Sequence, residues 1–309
     1  MDVRDRVVGS LLGLALGDAL GAPFEFLRAG NVPDPIRALE LPWLDLPPGS
    51  TTDDTAMARN LARSLAASGG FDPDDVVGRH LEWFASDPPD VGTLTRRVLK
   101  RVQAGEDAAE AARSVWRERG PEVSAGNGSV MYCAPLGLAY ANRPELLPEL
   151  APTLSALTHF DERCRTAVLA VTLAVAALVR GEDRRDAAGA LGAVFDREGG
   201  EELEFLVEHA GRSRPIDGPD QGFCLFTTGA AFQALLRFDA YEPALRHVVG
   251  LGGDADTNGA VTGALLGAFV GRSGLPPSWL ARLRDADEIE REGEALVPLA
   301  ERTLEPQTR

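Results

Sequence analysis

Apolar residues recur along most of the chain at intervals of three and four positions, the spacing that places them on one face of an α-helix. The clearest runs predict helices over residues 59–67, 91–103, 107–117, 164–180, 223–238 and 259–271. The alternation of apolar and polar positions that is typical of a half-buried strand is hard to find anywhere. The pattern therefore predicts an all-α fold, a compact multi-helix bundle that forms a single domain over residues 1–309.

The N-terminal segment carries glycine at every fourth position of residues 9–21, which gives a predicted helix one smooth face. Close packing of that face against another helix explains the first two of these glycines without a ligand. Asp18 lies on the same segment and needs a partner, because an unpaired carboxylate in a core is costly. Pro23 ends the predicted helix and places Glu25 in the loop that follows.

The weakest periodicity falls in residues 196–220, where glycines and prolines crowd together. Such clusters interrupt regular structure. We expect loops around one short helix in this stretch.

Composition narrows the class of protein. With 44% hydrophobic residues the chain can bury a large core, and its longest apolar run, residues 167–179, is too short to cross a bilayer. Alternating charges at the N-terminus do not resemble an export signal, so we expect a cytoplasmic protein with no membrane contact. The three scattered cysteines are expected to be buried small hydrophobes.

The net charge of -16 argues against binding to a nucleic-acid backbone, which depends on clustered Lys and Arg. An anionic ligand would then be held by backbone N–H groups or by metal ions. Nothing in the sequence marks an oligomer, and we expect a monomer.

The first segment with unusual chemistry is Gly-Ser-Thr-Thr-Asp-Asp-Thr at residues 49–55, directly before a helical run. Hydroxyl and carboxylate groups at such a junction can cap the helix. One cap needs one such residue, however, and the adjacent carboxylates of Asp53 and Asp54 repel each other unless a cation lies beside them. Taken alone, this segment leaves capping and metal ligation equally open.

A second cluster, Gly-Gly-Asp-Ala-Asp-Thr-Asn-Gly at residues 252–259, repeats this chemistry near the other end of the chain and again precedes an apolar helix. Asp254 and Asp256 are two positions apart, so both carboxylates can point to one side with the Thr257 hydroxyl. If the bundle brings the two helix starts together, they form an all-oxygen pocket suited to Mg²⁺ or Mn²⁺ and ill suited to Zn²⁺. A calcium loop is excluded by the spacing of the acids.

A third segment, Ser-Ala-Gly-Asn-Gly-Ser at residues 124–129, precedes a helix predicted over residues 130–141. Glycines before a helix can present bare N–H groups to an anion, which makes this segment a candidate phosphate cradle. An ordinary loop explains the same residues.

Taken in order, these segments resemble the ADP-ribosylglycohydrolase family, and the resemblance covers nearly the whole chain. The motifs that carry it are Gly17-Asp18-Ala19-Leu20-Gly21-Ala22-Pro23 with Glu25, Thr52-Asp53-Asp54-Thr55, Asp90-Val91-Gly92 with Thr95, Gly126-Asn127-Gly128, Thr158-His159, Gly252-Gly253-Asp254-Ala255-Asp256-Thr257, and a tail with Gly263, Gly267, Gly271, Pro276 and Trp279.

The resemblance implies an orthogonal all-α bundle, two divalent cations, Mg²⁺ or Mn²⁺, and hydrolysis of the glycosidic bond that links ADP-ribose to an acceptor. The implied partner is an ADP-ribosylated protein or a small ADP-ribose conjugate. The implied metal ligands are Thr52, Asp53, Asp54, Asp254, Asp256 and Thr257. The implied substrate-binding residues are Asp18, Gly126, Asn127, Gly128, Ser129 and His159, and the implied acid and base groups are Glu25 and Asp90.

Three departures from the family pattern concern the surroundings of these ligands. Thr51 precedes the first cluster where many relatives have an aromatic residue, and Ala255 stands where they have Thr or Ser. Residues 160–162 match loosely, which leaves the adenine contacts open. His159, as a lone histidine in a helical protein, can equally be structural.

Two other functions fit the same residues. Paired Asp clusters with Mg²⁺ also suit a nucleotide phosphohydrolase, which would release AMP instead of intact ADP-ribose. A catalytically silent ADP-ribose-binding module is the second alternative, although loss of function should erode the metal ligands. The sequence does not indicate which acceptor is released.

Overall fold

A computed structural model describes residues 1–37, 39–208 and 216–303. Its helices are α1 Val3–Gly21, α2 Asp53–Ser68, α3 Pro73–Ala85, α4 Thr93–Gln103, α5 Ala108–Arg119, α6 Ala134–Ala139, α7 Leu147–Ala156, α8 Glu162–Arg180, α9 Arg184–Ala188, α10 Ala190–Val194, α11 Gly200–Glu208, α12 Cys224–Arg237, α13 Tyr241–Gly250, α14 Ala255–Val270, α15 Pro277–Leu280 and α16 Ala286–Ala300. Two short strands, β1 Leu27–Arg28 and β2 Gly252–Gly253, pair antiparallel. The predicted all-α class is confirmed.

The centre of the bundle is the pair α1 and α14, whose backbones touch along their whole length. A Cβ atom on Gly13 would lie 2.3 Å from the Gly263 carbonyl oxygen, and one on Gly17 would lie 2.0 Å from that of Gly259. The reverse holds too, because a Cβ on Gly263 would lie 2.1 Å from the Gly13 oxygen. The glycines of α1 therefore serve close helix packing, as the sequence indicated for the first two of them.

Hydrogen bonds fix the register of this pair. The Ser10 hydroxyl donates to the Ala264 carbonyl at 2.9 Å, and the Tyr241 hydroxyl of α13 donates to the Gly13 carbonyl at 2.5 Å. Helices α8, α12 and α13 pack around α14, and α16 packs against α1. Because α1 ends where α14 begins, the loop after α1 lies beside the second acidic cluster.

The helix boundaries differ from the predicted ones mainly at helix starts. Helix α2 begins at Asp53, six positions before the predicted run, because Thr52 caps it with its hydroxyl. The helix predicted over residues 130–141 is wrong at its start: turns occupy residues 128–132, and α6 begins only at Ala134. Pro135 explains that start, since proline is tolerated in the first turn of a helix but not inside it.

The weak stretch at residues 196–220 contains one short helix, α11, as expected for its described part. Residues 209–215 of the same stretch lie outside the described residues. All three cysteines are free and buried, which confirms the expectation that they act as small hydrophobes.

One segment within the described residues, Val3–Phe24, is long and apolar enough to cross a membrane by length and composition. In the structure, 94% of the most apolar 18-residue stretch of this segment is buried inside the bundle, as in the core helix of a folded domain. Polar Ser10 and Asp18 interrupt the apolar run of this segment.

His80 on α3 is fully buried, and its ring contacts Asn60 and the edge of Tyr132. Burial lowers the pKa of His80 to about 3. Because the folded pKa lies below the unfolded value of ~6.5, the stability that His80 contributes is present above that pH and is lost as the pH falls toward 3.

We therefore expect the wild-type protein to lose about 1.4 kcal/mol of unfolding free energy relative to His80→Gln between about pH 7.5 and about pH 5.5. Urea unfolding of both proteins at the two pH values measures this double difference, in which the other titrating groups cancel. Equal pH dependence in the two proteins would show that His80 is not held neutral.

Candidate functional site

The N-termini of α2 and α14 meet at the surface end of the bundle. The Thr257 hydroxyl at the start of α14 donates to Asp54 Oδ2 at the start of α2, over 3.4 Å, although 203 positions separate the two residues. The two acidic clusters thus form one site, as the sequence predicted for helices packed in this way. Both clusters are largely buried.

Asp18 lies beneath this site with no exposed surface. Its carboxylate accepts hydrogen bonds from the backbone N–H groups of Thr52 and Thr55, at 3.0 and 3.1 Å, and from the Thr55 hydroxyl at 2.5 Å. The partner that the sequence required for Asp18 is therefore the first turn of α2. Donors from the protein surround the Asp18 carboxylate, and the predicted contact of Asp18 with substrate stays a prediction.

Replacing Asp18 by asparagine is expected to destabilise the protein by ~1–3 kcal/mol, because an amide cannot accept from all three donors. Metal binding should weaken by ~10–100-fold, the usual effect of losing a group that orients a metal ligand. Calorimetric titration with Mn²⁺ and urea unfolding measure the two effects.

A matched control for this variant is Ser10→Ala, which removes another buried hydrogen bond from α1 far from the acidic clusters. It should lose stability and keep its affinity for Mn²⁺. If both variants bound Mn²⁺ as the wild type does, Asp18 would have no part in shaping the site.

The first cluster caps α2 and also has a carboxylate oxygen without a hydrogen-bond partner among the described residues, Asp54 Oδ1. The Thr52 hydroxyl accepts from the Asp54 N–H at 3.3 Å and donates to Asp54 Oδ2 at 3.2 Å. Asp53 Oδ2 accepts from the N–H of Gly92 at 3.1 Å, which ties the loop of Asp90 to the start of α2. The sequence left capping and metal ligation open as alternatives. The two are compatible, because the Thr52 hydroxyl oxygen has a second lone pair that can bind a cation.

The second cluster includes a residue from the loop after α1. Strand β1 pairs with β2, and the Phe26 N–H donates to the Gly253 carbonyl at 2.7 Å. This pairing brings a carboxylate oxygen of Glu25 within 4.8 Å of one from Asp254 and one from Asp256. Glu25 therefore lies at a distance where it can share a cation with the two aspartates, a position that the sequence did not reveal.

Burial raises the pKa values of four carboxyl groups in this site, and repulsion from neighbouring carboxylates raises the values further. The pKa of Glu25 rises to about 8 and that of Asp53 to about 7, with Asp90 as the neighbour that contributes most to both. The pKa values of Asp54 and Asp256 rise well above the ordinary range for the same reasons. Such a cluster is stabilised by added positive charge.

The donor set fits divalent cations that prefer oxygen ligands. Asp54 Oδ1 is buried and has no hydrogen-bond partner among the described residues, so one oxygen in the centre of the site lacks a positive neighbour. Carboxylates and threonine hydroxyls supply the remaining possible ligand oxygens, and no cysteine or histidine takes part in the described acidic cluster. Mg²⁺ and Mn²⁺ bind such sets.

The loop of Gly126, Asn127, Gly128 and Ser129 borders the acidic site. Asn127 Nδ2 donates to Asp254 Oδ2 at 2.9 Å and to the Thr227 hydroxyl at 2.9 Å. Among the described residues, no backbone carbonyl accepts from the N–H groups of Gly128 and Ser129. These N–H groups support the cradle interpretation. The Ser129 hydroxyl does not, since it is buried against the Ser155 hydroxyl at 2.9 Å.

His159 packs directly on this loop. A Cβ on Gly128 would lie 2.7 Å from its Cε1 atom, so a glycine is needed there for the close approach of the ring. Its Nδ1 atom is 2.9 Å from the Thr158 hydroxyl, and burial lowers the pKa of His159 to about 4. His159 is therefore a neutral ring at physiological pH that supports the loop.

A cavity of about 470 Å³ opens on the other side of this loop. Gly126, Gly222, Phe223 and Arg163 contribute to its lining, and the Arg163 guanidinium lies 5.6 Å from the centre of the Phe223 ring. A Cβ on Gly222 would lie 3.3 Å from Asp254 Oδ2, so the cavity is adjacent to the acidic site. Arg163 and Phe223 were not predicted from the sequence, because they are distant from each other in the chain. Arg163 lies at the start of α8 and Phe223 directly precedes α12, and only the fold brings them together.

Comparisons with known proteins identify the family of this chain. The sequence matches the family described as ADP-ribosylglycohydrolase over residues 1–308. ADP-ribosyl-[dinitrogen reductase] glycohydrolase of Rhodospirillum rubrum is 34% identical over 307 residues, 96% of this chain and 97% of the relative. ADP-ribosylhydrolase ARH3 of Homo sapiens is 28% identical, over 89% of this chain and 88% of the relative.

Two further similarities extend the comparison. ADP-ribosylarginine hydrolase Tri1 of Pseudomonas putida is 26% identical, over 96% of this chain and 79% of the relative. A solved structure described as an ADP-ribosylglycohydrolase-related protein complex superposes with a TM-score of 0.82 at 37% identity, over 97% of this chain and 99% of that chain. The match over the whole length, together with the paired acidic helix starts, shows that the chain is a glycosyl hydrolase that belongs to the ADP-ribosylglycohydrolase family.

Proposed function

We propose that this enzyme hydrolyses the glycosidic bond between ADP-ribose and an acceptor with the help of two divalent cations, Mg²⁺ or Mn²⁺. The observation that carries the proposal is the convergence of both acidic clusters on one buried site, with Thr257 and Asp54 in contact across it. Buried carboxylates at this density are costly unless cations neutralise them.

The ligands would come from both helix starts: Thr52, Asp53 and Asp54 from α2, and Asp254, Asp256 and Thr257 from α14. When bound, the cations would orient the ribose hydroxyls and make the attacking water more acidic. Asn127 would hold the Asp254 carboxylate in place through its hydrogen bond to Oδ2.

The ADP part of the substrate would lie along the 126–129 loop. The diphosphate would accept from the N–H groups of Gly128 and Ser129, and the adenosine would enter the cavity of about 470 Å³ beside Phe223. The charge of Arg163 at this cavity is offset by its ion pair with Asp161, at 2.8 Å, so its guanidinium acts mainly as a flat surface over Phe223.

Two acids are our candidates for moving a proton at the scissile bond. A Glu25 carboxylate oxygen lies within 4.8 Å of oxygens of the second cluster, and Asp90 belongs to the loop that the Gly92 N–H ties to Asp53. One water is consumed in the hydrolysis: its oxygen bonds to the anomeric carbon, the bond to the acceptor breaks, and a proton passes to the acceptor atom. Glu25 or Asp90 would carry that proton, which normally contributes ~10²–10⁴-fold to the rate.

The test is the release of free ADP-ribose from arginine-linked and serine-linked ADP-ribosyl peptides with Mg²⁺, with Mn²⁺ and with a chelator. We expect intact ADP-ribose to appear only when metal is present. Release of AMP would contradict the proposal in favour of a phosphohydrolase. Binding of ADP-ribose without release from any conjugate would indicate a silent binding module.

A further inference from the structure

A short chain of buried hydroxyl groups leads from the core of the bundle to His159. The Tyr132 hydroxyl lies 3.2 Å from the Thr158 hydroxyl oxygen, which lies 2.9 Å from Nδ1 of His159. All three side chains are buried, with exposed fractions of 0%, 2% and 3% respectively. The function proposed above gives no role to Tyr132 or Thr158.

The main chain of His159 is fixed by one residue. Its N–H donates to the Ser155 carbonyl at 2.7 Å, and its carbonyl accepts from the Ser155 hydroxyl at 3.1 Å. The fold therefore sets where the ring lies. Which ring nitrogen carries the proton depends on the hydrogen bonds of the ring, because one nitrogen of a neutral imidazole donates and the other accepts.

The buried hydroxyl groups decide between the two nitrogens. Among the described residues, the Tyr132 hydroxyl has a hydrogen bond with Thr158 alone, and the Thr158 hydroxyl has one with Tyr132 and one with His159. Both hydroxyl protons find an acceptor in one arrangement only: Tyr132 donates to the Thr158 oxygen, and Thr158 donates to Nδ1 of His159. Any other arrangement leaves a buried hydroxyl proton without an acceptor, which is costly. A neutral ring that accepts at Nδ1 carries its own proton on Nε2.

The Nε2 atom lies at the 126–129 loop. A Cβ atom on Gly128 would lie 3.0 Å from Nε2, and one on Gly126 would lie 3.5 Å from it. Among the described residues Nε2 has no hydrogen-bond partner, and its surface is not fully enclosed. The Nε2 proton is therefore available to a ligand on this loop.

We propose that Thr158 is a positioning residue that keeps the proton of His159 on Nε2, so that the neutral ring donates a hydrogen bond to an oxygen of the ADP-ribose diphosphate. The proposal rests on the proposed function, which places the diphosphate along the same loop. A ring with its proton on Nδ1 would instead turn a lone pair toward the anion, and the two would repel each other. Tyr132 supports this arrangement, because its donated proton leaves Nδ1 as the acceptor for Thr158.

The test compares Thr158→Val, which removes the hydroxyl, with Thr158→Ser, which keeps it. Nitrogen NMR shifts of the His159 ring at neutral pH report which nitrogen carries the proton, and the spectrum of His159→Gln identifies the signals. Affinity for ADP-ribose is measured by calorimetry on protein saturated with Mg²⁺. Tyr132→Phe is the matched control, because it removes the bond between Tyr132 and Thr158 and leaves the bond between Thr158 and His159.

We expect the wild type to carry the proton on Nε2, and its Nε2–H signal to move when ADP-ribose binds. In Thr158→Val the proton should be shared between the two nitrogens, so that their shifts move toward each other. ADP-ribose affinity should then fall by ~2–3-fold, because only the fraction of molecules with the proton on Nε2 can make this bond. Thr158→Ser and Tyr132→Phe should both keep the proton on Nε2.

A wild-type ring with its proton on Nδ1 would overturn the proposal, and so would unchanged ring shifts in Thr158→Val. An Nε2–H signal that does not respond to bound ADP-ribose would exclude the ring as a donor to the ligand. If the wild type did not bind ADP-ribose at all, the proposed function would fail, while the spectra of the free proteins would still decide whether Thr158 places the proton. The wild-type spectrum alone decides the direction of the hydroxyl chain if Thr158→Val does not fold.

Discussion

Asp256→Asn is expected to lower kcat/KM by at least ~10²-fold and, at the same time, to raise the melting temperature of the metal-free protein. The activity falls because a proposed direct ligand is lost, whereas loss of a group that only orients a ligand already costs ~10–100-fold. The stability rises because burial and the neighbouring Asp254 raise the pKa of Asp256 well above its ordinary value. A group with a raised folded pKa stabilises the protein only at low pH and destabilises it at neutral pH.

Thermal unfolding with and without Mn²⁺, together with release of ADP-ribose, measures both effects. The variant should also lose most of the metal-induced rise in melting temperature, since that rise follows metal affinity. Asp287→Asn is a matched control, because Asp287 is exposed in the first turn of α16. Full activity and an undiminished metal response in Asp256→Asn would show that Asp256 is not a ligand.

Gly13→Ala is expected to destabilise the protein by about 3 kcal/mol or more, at the upper end of the cost of overpacking. The new methyl group would lie 2.3 Å from the Gly263 carbonyl oxygen. A backbone atom cannot rotate away as a side chain can, so α1 and α14 would have to separate. Asp18 on α1 holds the start of α2, and the second acidic cluster lies at the start of α14. Separation of α1 and α14 should therefore lower the metal affinity together with the stability.

The control for this variant is Gly78→Ala on α3, where the added methyl group has no neighbour within 4 Å. There the change should stabilise the protein by up to ~1 kcal/mol, because alanine loses less backbone entropy in a helix. Urea unfolding of the two variants gives the comparison. A similar effect of both changes would mean that the contact between α1 and α14 is looser than the structure shows.

The sequence was most informative where helical periodicity was uninterrupted. The runs of α8, α12 and α14 were predicted to within a few residues. Helices α7 and α16 were missed, and each contains an internal proline, Pro152 and Pro298 respectively. Proline normally marks a helix end, and these two helices continue through it because their packing compensates for the lost hydrogen bond.

The acidic site could be predicted in part for a related reason. Asp53, Asp54, Asp254 and Asp256 are visible because like charges stand adjacent in sequence, which is unusual without a cation. The approach of Glu25 was not visible, because it depends on a strand pair only two residues long, below the length at which periodicity can be detected.

The contact between α1 and α14 also has a consequence for the order in which the enzyme matures during synthesis. Ser10 bonds to Ala264 across 254 positions, so the first helix has no partner for its glycine face until the ribosome has produced α14. Contacts this distant in sequence form late. A nascent chain that ends before α14 therefore carries the first acidic cluster without the second, and the enzyme becomes competent only after α14 has been synthesised.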